Sequence, residues 1–344
     1  MLLVFYISSH GLGHASRDVE LIRTIRSMRP DLRVVARTAA PPWVFPPDLE
    51  RQTFEADTGV VQLDSLRLDE QETARRANAF YADFDARVEA EARTLDRLGA
   101  TLVAGDIPPL AFAAAARAHL PSIAIGNFTW DWIYRDYPSF AATAPGVVDR
   151  IAGAYSRVTR ALRLPMHGGF EAMEGVTEDI PFIARHATRE AADTRRQLSI
   201  GSDRPLVLVS FGGYGLEASY ETTAQTQGLT IVNFERNPPP GVTYPDIVAA
   251  ADVVVTKPGY GIISECIAND TALVYTSRGH FAEYDVLVRE MPRFLRSRYL
   301  EMKDLVEGRW ADAVRRVLAQ PPAPEKPRTD GARVAAQALL SFIP

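Results

Sequence analysis

The chain has a single cysteine, Cys266, among 344 residues. One cysteine excludes an internal disulfide and a cysteine-based zinc cluster, and it fits a reducing compartment such as the cytoplasm. It sits between isoleucines on an expected helix, so buried packing is its simplest use. Lysine is nearly as scarce: Lys257, Lys303 and Lys326 are the only ones among 38 basic residues, a bias that carries no mechanism. Neither sign of charge dominates. A net charge of −5 and a pI of about 5.8 predict no general attraction to nucleic acid or to an anionic membrane. No apolar run reaches the roughly 18–20 residues needed to cross a bilayer. The opening MLLVFYI is too short for a secretory apolar region and has no cationic start. No repeat of solenoid period is present.

What the chain does have is one recurring pattern: a short apolar strand that runs into glycines and then a helix. Leu2 to Ile7 is the first such strand, followed by Ser8-Ser9-His10-Gly11-Leu12-Gly13-His14-Ala15-Ser16-Arg17 and a helix pattern through Leu21, Ile22, Ile25 and Met28. Arg33 to Arg37 reads as the next strand, and Ala40 to Pro47 as a proline-rich loop. Thr73 to Leu98 has the period of one long helix with a charged outer face. Strands are expected at Thr101–Ala104 and Ser122–Ile125, with an alanine-rich helix between them that ends by His119. The loop that follows, Gly126-Asn127-Phe128-Thr129-Trp130-Asp131-Trp132, combines aromatic faces with polar groups. It suits a sugar or planar acceptor, or else packs a domain edge. Glycines and prolines at 166–181 suggest a linker.

A second α/β unit opens with Leu206–Phe211 and runs into Gly212-Gly213-Tyr214-Gly215. Thr230–Phe234 is a further strand. The stretch Ala250 to Cys266, AADVVVTKPGYGIISEC, holds a strand ending at Thr256, the turn pair Pro258-Gly259, and a helix whose apolar side is Ile262, Ile263 and Ile267. Glycines at such a turn let a backbone come close to a phosphate, and the helix start offers unpaired N–H groups and a positive dipole. Glu265, one turn in, is placed to accept hydrogen bonds from a ribose diol. The alternative is an ordinary strand–turn–helix joint with a solvated glutamate. After strand Ala272–Thr276 comes Ser277-Arg278-Gly279-His280-Phe281-Ala282-Glu283-Tyr284. Each of these loops ends a strand, where open α/β sheets place ligands, so they are expected to share one cleft.

The first glycine loop admits several uses. Gly11-x-Gly13-x-x-Ser16 is an incomplete dinucleotide fingerprint, and Arg37 at the end of the second strand would suit only an NADP-type site. His10 and His14 are a loose pair of metal ligands. His14 could cap the helix, or it could act as a general base, since an imidazole titrates near neutrality.

Six segments in this order resemble the two-domain GT-B glycosyltransferases: SHGLGHASR, GDIPPLA, IGNFTWDWIY, SFGGYG, TKPGYGIISE and RGHFAEYDVL. The likeness is to the glycosyltransferase-like domain that precedes the kinase in plant L-arabinokinases, and to its stand-alone bacterial relatives. It implies two Rossmann-like doubly wound domains: 1–165 for the acceptor, a linker at 166–181, 182–330 for the donor, and a terminal helix at 331–344 packing back on the first domain. By resemblance, Gly212, Gly213, Lys257, Gly259, Tyr260, Gly261, Ser264, Glu265, His280 and Glu283 would bind the donor. His10, Gly11, Gly13, Asn127, Trp130 and Asp131 would bind the acceptor, with His14 as base. The expected cosubstrate is a UDP- or dTDP-linked sugar, the acceptor a small molecule or glycan, and no metal or other cofactor is required. A homodimer is compatible with this picture. Two rivals share the fold: a non-catalytic nucleotide-sugar-binding regulator, and a non-hydrolysing sugar-nucleotide epimerase.

Overall fold

Continuous apolar runs such as Leu2–Ile7 form strands buried on both faces, which is what helices packed above and below a parallel sheet require. The computed structural model describes residues 1–212, 227–234 and 238–343. In chain order the strands are β1 (Leu2–Ile7), β2 (Arg33–Thr38), β3 (Glu50–Thr53), the short β4 (Val61–Gln62) and β5 (Leu68–Asp69), then β6 (Leu102–Asp106), β7 (Ser122–Gly126), β8 (Arg160–Arg163) and β9 (Thr177–Asp179). In the second half they are β10 (Leu206–Ser210), β11 (Thr230–Val232), β12 (Val253–Thr256), β13 (Ala272–Tyr275) and β14 (Ser297–Tyr299).

Two parallel sheets result. The first runs β3-β2-β1-β6-β7-β8-β9 and the second β11-β10-β12-β13-β14, while β4 and β5 pair as an antiparallel hairpin. The strands stay parallel, but the direction in which successive strands are laid down reverses between β1 and β6 and again between β10 and β12. Those are the switch points where doubly wound sheets open a crevice beyond the carboxyl ends of their strands. Register aligns the two ends there: Ile7 lies beside Asp106, and Ser210 beside Thr256.

Three expectations are corrected. The helix expected over Thr73–Leu98 is two, Glu70–Ala82 and Phe84–Leu98, meeting at Asp83; the first starts earlier because the Asp69 side chain caps it at Glu72 N–H. The break brings Phe80, Tyr81 and Phe84 into consecutive ring contacts. The stretch 166–181 contains β9, the last strand of the first sheet, so that sheet runs past residue 165. Its glycines serve close packing. A Cβ on Gly168 would lie 2.3 Å from the Trp132 ring and one on Gly169 only 2.1 Å from Thr129 Oγ1. Glu91, on the face expected to be solvated, is buried and ion-paired with Arg37 at 2.8 Å.

The chain crosses into the second domain beside a bridge between Ile183 and Asp330. The final helix, Gly331–Leu340, lays Ala332, Ala335, Ala336 and Leu339 into the same core as Ala15, Val19, Ile22 and Ile25 of the Gly13–Met28 helix. Burying a leucine there contributes roughly 1.5–3 kcal/mol. Among the described residues no helix is long and apolar enough to cross a membrane.

Candidate active site

A cavity of about 690 Å³ opens between the carboxyl ends of the two sheets. From the first domain, His10, Gly11, Gly13, His14 and Asn127 line it. From the second come Gly212, Lys257, Gly259, Tyr260, Gly261, Glu265 and Glu283. Residues expected to bind donor and acceptor thus face one space. The domains touch at its floor: a Cβ on Gly261 would sit 3.4 Å from the Gly13 Cα. The Gly13–Met28 and Tyr260–Ala268 helices therefore bring their N-terminal turns together, and both positive dipole ends point at the cavity.

At the first helix start, His14 Nδ1 lies 2.9 Å from Asp106 Oδ1. Arg17 grips the same carboxylate with Nε on Oδ2 and NH2 on Oδ1, both at 2.5 Å. All three side chains are buried. Burial alone would push the Asp106 carboxyl up; the charges of Arg17 and His14 and their hydrogen bonds outweigh it and hold the group well below the usual carboxylate range. Asp106 is thus an anion that accepts from His14 Nδ1–H, and this tautomer leaves the Nε2 lone pair free to take a proton. His10 differs. Burial first, then the nearby Arg278, His14 and Lys257, pushes its pKa well below normal, so it is neutral. Its Nδ1 accepts from Val60 N–H at 3.2 Å, and its ring stacks on Phe281 at 5.7 Å. Asp57, which accepts from Trp130 Nε1 at 2.9 Å, is pushed up to about 6 by burial against the opposing Ser8 hydrogen bond and His14 charge.

At the second helix start, Glu265 is buried and its Oε1 accepts from Arg185 Nε at 2.6 Å. Burial raises the Glu265 pKa, with Arg185 and a Ser16 hydrogen bond opposing. The carboxylate so held closes the end of the cavity where Tyr244 also lies, beneath the Arg185 guanidinium at 5.7 Å. Arg278 lines the cavity too, donating to the Pro258 carbonyl and to Glu283 Oε2, each at 3.1 Å. With Lys257 and the two helix starts it makes this wall suited to a diphosphate.

Four expected site residues are placed elsewhere. Trp130 is fully buried and packs against Tyr134, Phe128 and His10. Asp131 is buried beside Arg135 at 3.6 Å, Ser264 Oγ donates to the Gly261 carbonyl at 2.9 Å, and neither lines the cavity. His280 stands on the surface, 2.9 Å from Asp136. Gly213 lies outside the described residues. Conversely, Arg17, Asp106, Arg185 and Arg278 hold the expected residues in place without having been assigned roles. Arg17, Asp106 and Arg278 did fall inside the segments SHGLGHASR, GDIPPLA and RGHFAEYDVL.

No family model matches the chain. It is 30% identical to L-arabinokinase of Arabidopsis thaliana over 363 aligned residues, which cover 98% of this chain and 34% of the plant protein. The chain thus spans about a third of that relative's length. Among solved structures it resembles the calicheamicin glycosyltransferase, with a TM-score of 0.61 and 15% identity over 99% of this chain and 98% of that one. The kitacinnamycin glycosyltransferase follows it with a TM-score of 0.58 and 18% identity over 100% and 99% of the two chains. The glycosyltransferase VinC, solved with dTDP, superposes with a TM-score of 0.56 and 16% identity over 98% and 96%. The chain has the GT-B fold. In GT-B terms the two doubly wound sheets are its two halves, and the cavity lined by His14 and Glu265 is the cleft between them.

Proposed function

We propose that the protein is a glycosyltransferase that moves a sugar from a nucleoside diphosphate, such as a UDP- or dTDP-linked donor, to an acceptor hydroxyl, with inversion and without a metal. One observation carries the reading: a buried His14–Asp106 pair, 2.9 Å apart, opens onto a cavity whose other wall is a helix start with Lys257 and Arg278 beside it. A regulator that only bound nucleotide would have no use for an imidazole oriented by a carboxylate. In the reaction, the acceptor oxygen attacks the anomeric carbon from the first-domain side and its proton passes to His14 Nε2. The bond from the anomeric carbon to the diphosphate oxygen breaks, and the diphosphate leaves toward the Tyr260–Ala268 helix start. Asp106 stabilises the imidazolium that forms, as a carboxylate does behind a catalytic histidine. Glu265 is placed to take the ribose hydroxyls, with Arg185 fixing its carboxylate. Helix dipoles, Lys257 and Arg278 offset the charge that a metal would otherwise neutralise. General-base help of this kind is typically worth about 10²–10⁴-fold.

The test is a panel of nucleotide sugars and acceptors, read as release of free nucleoside diphosphate together with formation of glycoside. Release coupled to glycoside formation supports transfer. Conversion of the donor sugar without any acceptor would support epimerisation, and binding without turnover across the panel would favour a nucleotide-sugar-binding regulator.

A further inference from the structure

Both oxygens of the Glu283 carboxylate are already engaged. Oε1 accepts from Asn127 Nδ2 at 2.8 Å and Oε2 from Arg278 at 3.1 Å, and the side chain is buried. Asn127 belongs to the first domain, just after β7, and Glu283 to the second, at the start of the Ala282–Glu290 helix. On its other side Asn127 Oδ1 accepts from Arg17 NH1 at 2.7 Å. The amide orientation follows from its neighbours: Arg17 can only donate and an ionised Glu283 can only accept, so Oδ1 faces the first and Nδ2 the second. Arg17 in turn is a planar fork whose Nε and NH2 donate to Asp106, with NH2 also 3.1 Å from His14 Nδ1, and its guanidinium sits 5.1 Å from the Tyr260 ring of the second domain. One unbroken chain therefore runs from the Pro258 carbonyl, through Arg278, Glu283, Asn127 and Arg17, to Asp106 and His14. It crosses between the domains only at the bond between Asn127 and Glu283.

We propose that Asn127 and Glu283 form an interdomain clasp that positions the His14–Asp106 pair through Arg17, so that the base is aligned only when the two domains are closed. Asn127 and Glu283 are positioning residues here, in place of direct ligands of acceptor and donor sugar. The clasp links two events that must coincide: the donor diphosphate settling beside Pro258 and Arg278, and the imidazole aiming at the acceptor. With the clasp open, Arg17 loses its NH1 partner and its seat against Tyr260 and is free to draw Asp106 off His14. Its role in transfer rests on the glycosyltransferase reading; its role in closure does not.

The test exchanges donor and acceptor across the bond. In Asn127→Asp the new carboxylate faces Glu283, and in Glu283→Gln the new amide faces Arg278, so each single variant puts two like groups opposite each other. The double variant, Asn127→Asp with Glu283→Gln, restores every bond: the glutamine amide donates to the aspartate, its carbonyl accepts from Arg278, and the aspartate still accepts from Arg17. The net charge is that of the wild type. Each single variant is expected to lower the transfer rate at saturating donor by roughly 10-fold or more, and the double variant to return it to within about 3-fold, as strongly coupled pairs do. Donor KM should move less than kcat. Small-angle scattering should show the single variants larger than the wild type and the double variant compact again. If Glu283 instead contacts the donor sugar, Glu283→Gln stays defective with either residue at 127, and the clasp is overturned. Unchanged scattering in both single variants overturns it as well. Should Asn127→Asp fail to fold, Glu283→Gln alone decides by scattering. A wild type that transfers no sugar would remove the glycosyltransferase reading, and scattering would still judge the clasp.

Discussion

The two glycine-rich joints, Ser8–Arg17 after β1 and Lys257–Glu265 after β12, have the same backbone plan and different side-chain content. Each leaves a central strand at a switch point and starts a helix aimed at the cavity. In the first, His14 and Arg17 converge on one buried anion, Asp106. In the second the turn itself offers main chain and small residues, and its one acid, Glu265, is turned to Arg185. On the proposed function, the same local geometry serves proton transfer on one side and anchoring of the donor on the other. What separates them is which side chains lie one turn into the helix and whether a buried carboxylate stands opposite.

That contrast can be broken most forcefully at Asp106. Asp106→Ala leaves the Arg17 charge buried without its partner and should cost about 3–5 kcal/mol of stability, read from urea unfolding. A loss below about 1 kcal/mol would mean the anion is not the hub of the first joint. Asp57 gives the next largest effect, through pH. Its folded pKa, about 6, lies above the ordinary aspartate value, so the folded state binds the extra proton. Its contribution is fully present at low pH and is lost as pH rises through 6. Relative to Asp57→Asn, the wild type should therefore lose up to about 3 kcal/mol between pH 4 and pH 6 and run level above that. A parallel pair of stability curves would contradict it. On the anchoring side, Glu265→Ala should weaken nucleotide binding by about 1–3 kcal/mol by calorimetric titration, and unchanged affinity would remove Glu265 from the donor site. The smallest effect is expected at the contact between the joints. Gly261→Ala places a methyl 3.4 Å from Gly13 Cα, an ordinary van der Waals approach. It should change stability by under about 1 kcal/mol, and a larger loss would show the helix starts to be more tightly pressed together.

Much of this fold was legible because its signals are local. Apolar runs that end in glycine marked β1, β10 and β12, and the same turns located the cavity wall at Gly13, Gly259 and Gly261. Of the four edge strands of the two parallel sheets, only β11 was legible, as the strand expected at Thr230–Phe234. Glu50–Thr53, Thr177–Asp179 and Ser297–Tyr299 are short and polar, as edges are when they must not pair with another chain, and they carry no apolar run to detect. In the site, His14 and Glu265 could be singled out because each stands a fixed step from a glycine turn. Their partners could not. Asp106 is 92 residues from His14 and Arg185 is 80 from Glu265, and only the strand order brings them together. Trp130 and Asp131 misled because an aromatic, polar loop reads the same whether it faces a ligand or fills a core.

The division of labour between the two joints is tested most directly by His14→Asn. Asparagine can still accept or donate one hydrogen bond at the helix start but cannot take up a proton at neutral pH. Nucleotide affinity, by calorimetry, should stay within about 0.5 kcal/mol of the wild type, while glycoside formation at saturating donor should fall by roughly 100-fold or more. A His14→Asn protein that transfers sugar at the wild-type rate would show that the base lies elsewhere and would contradict the account.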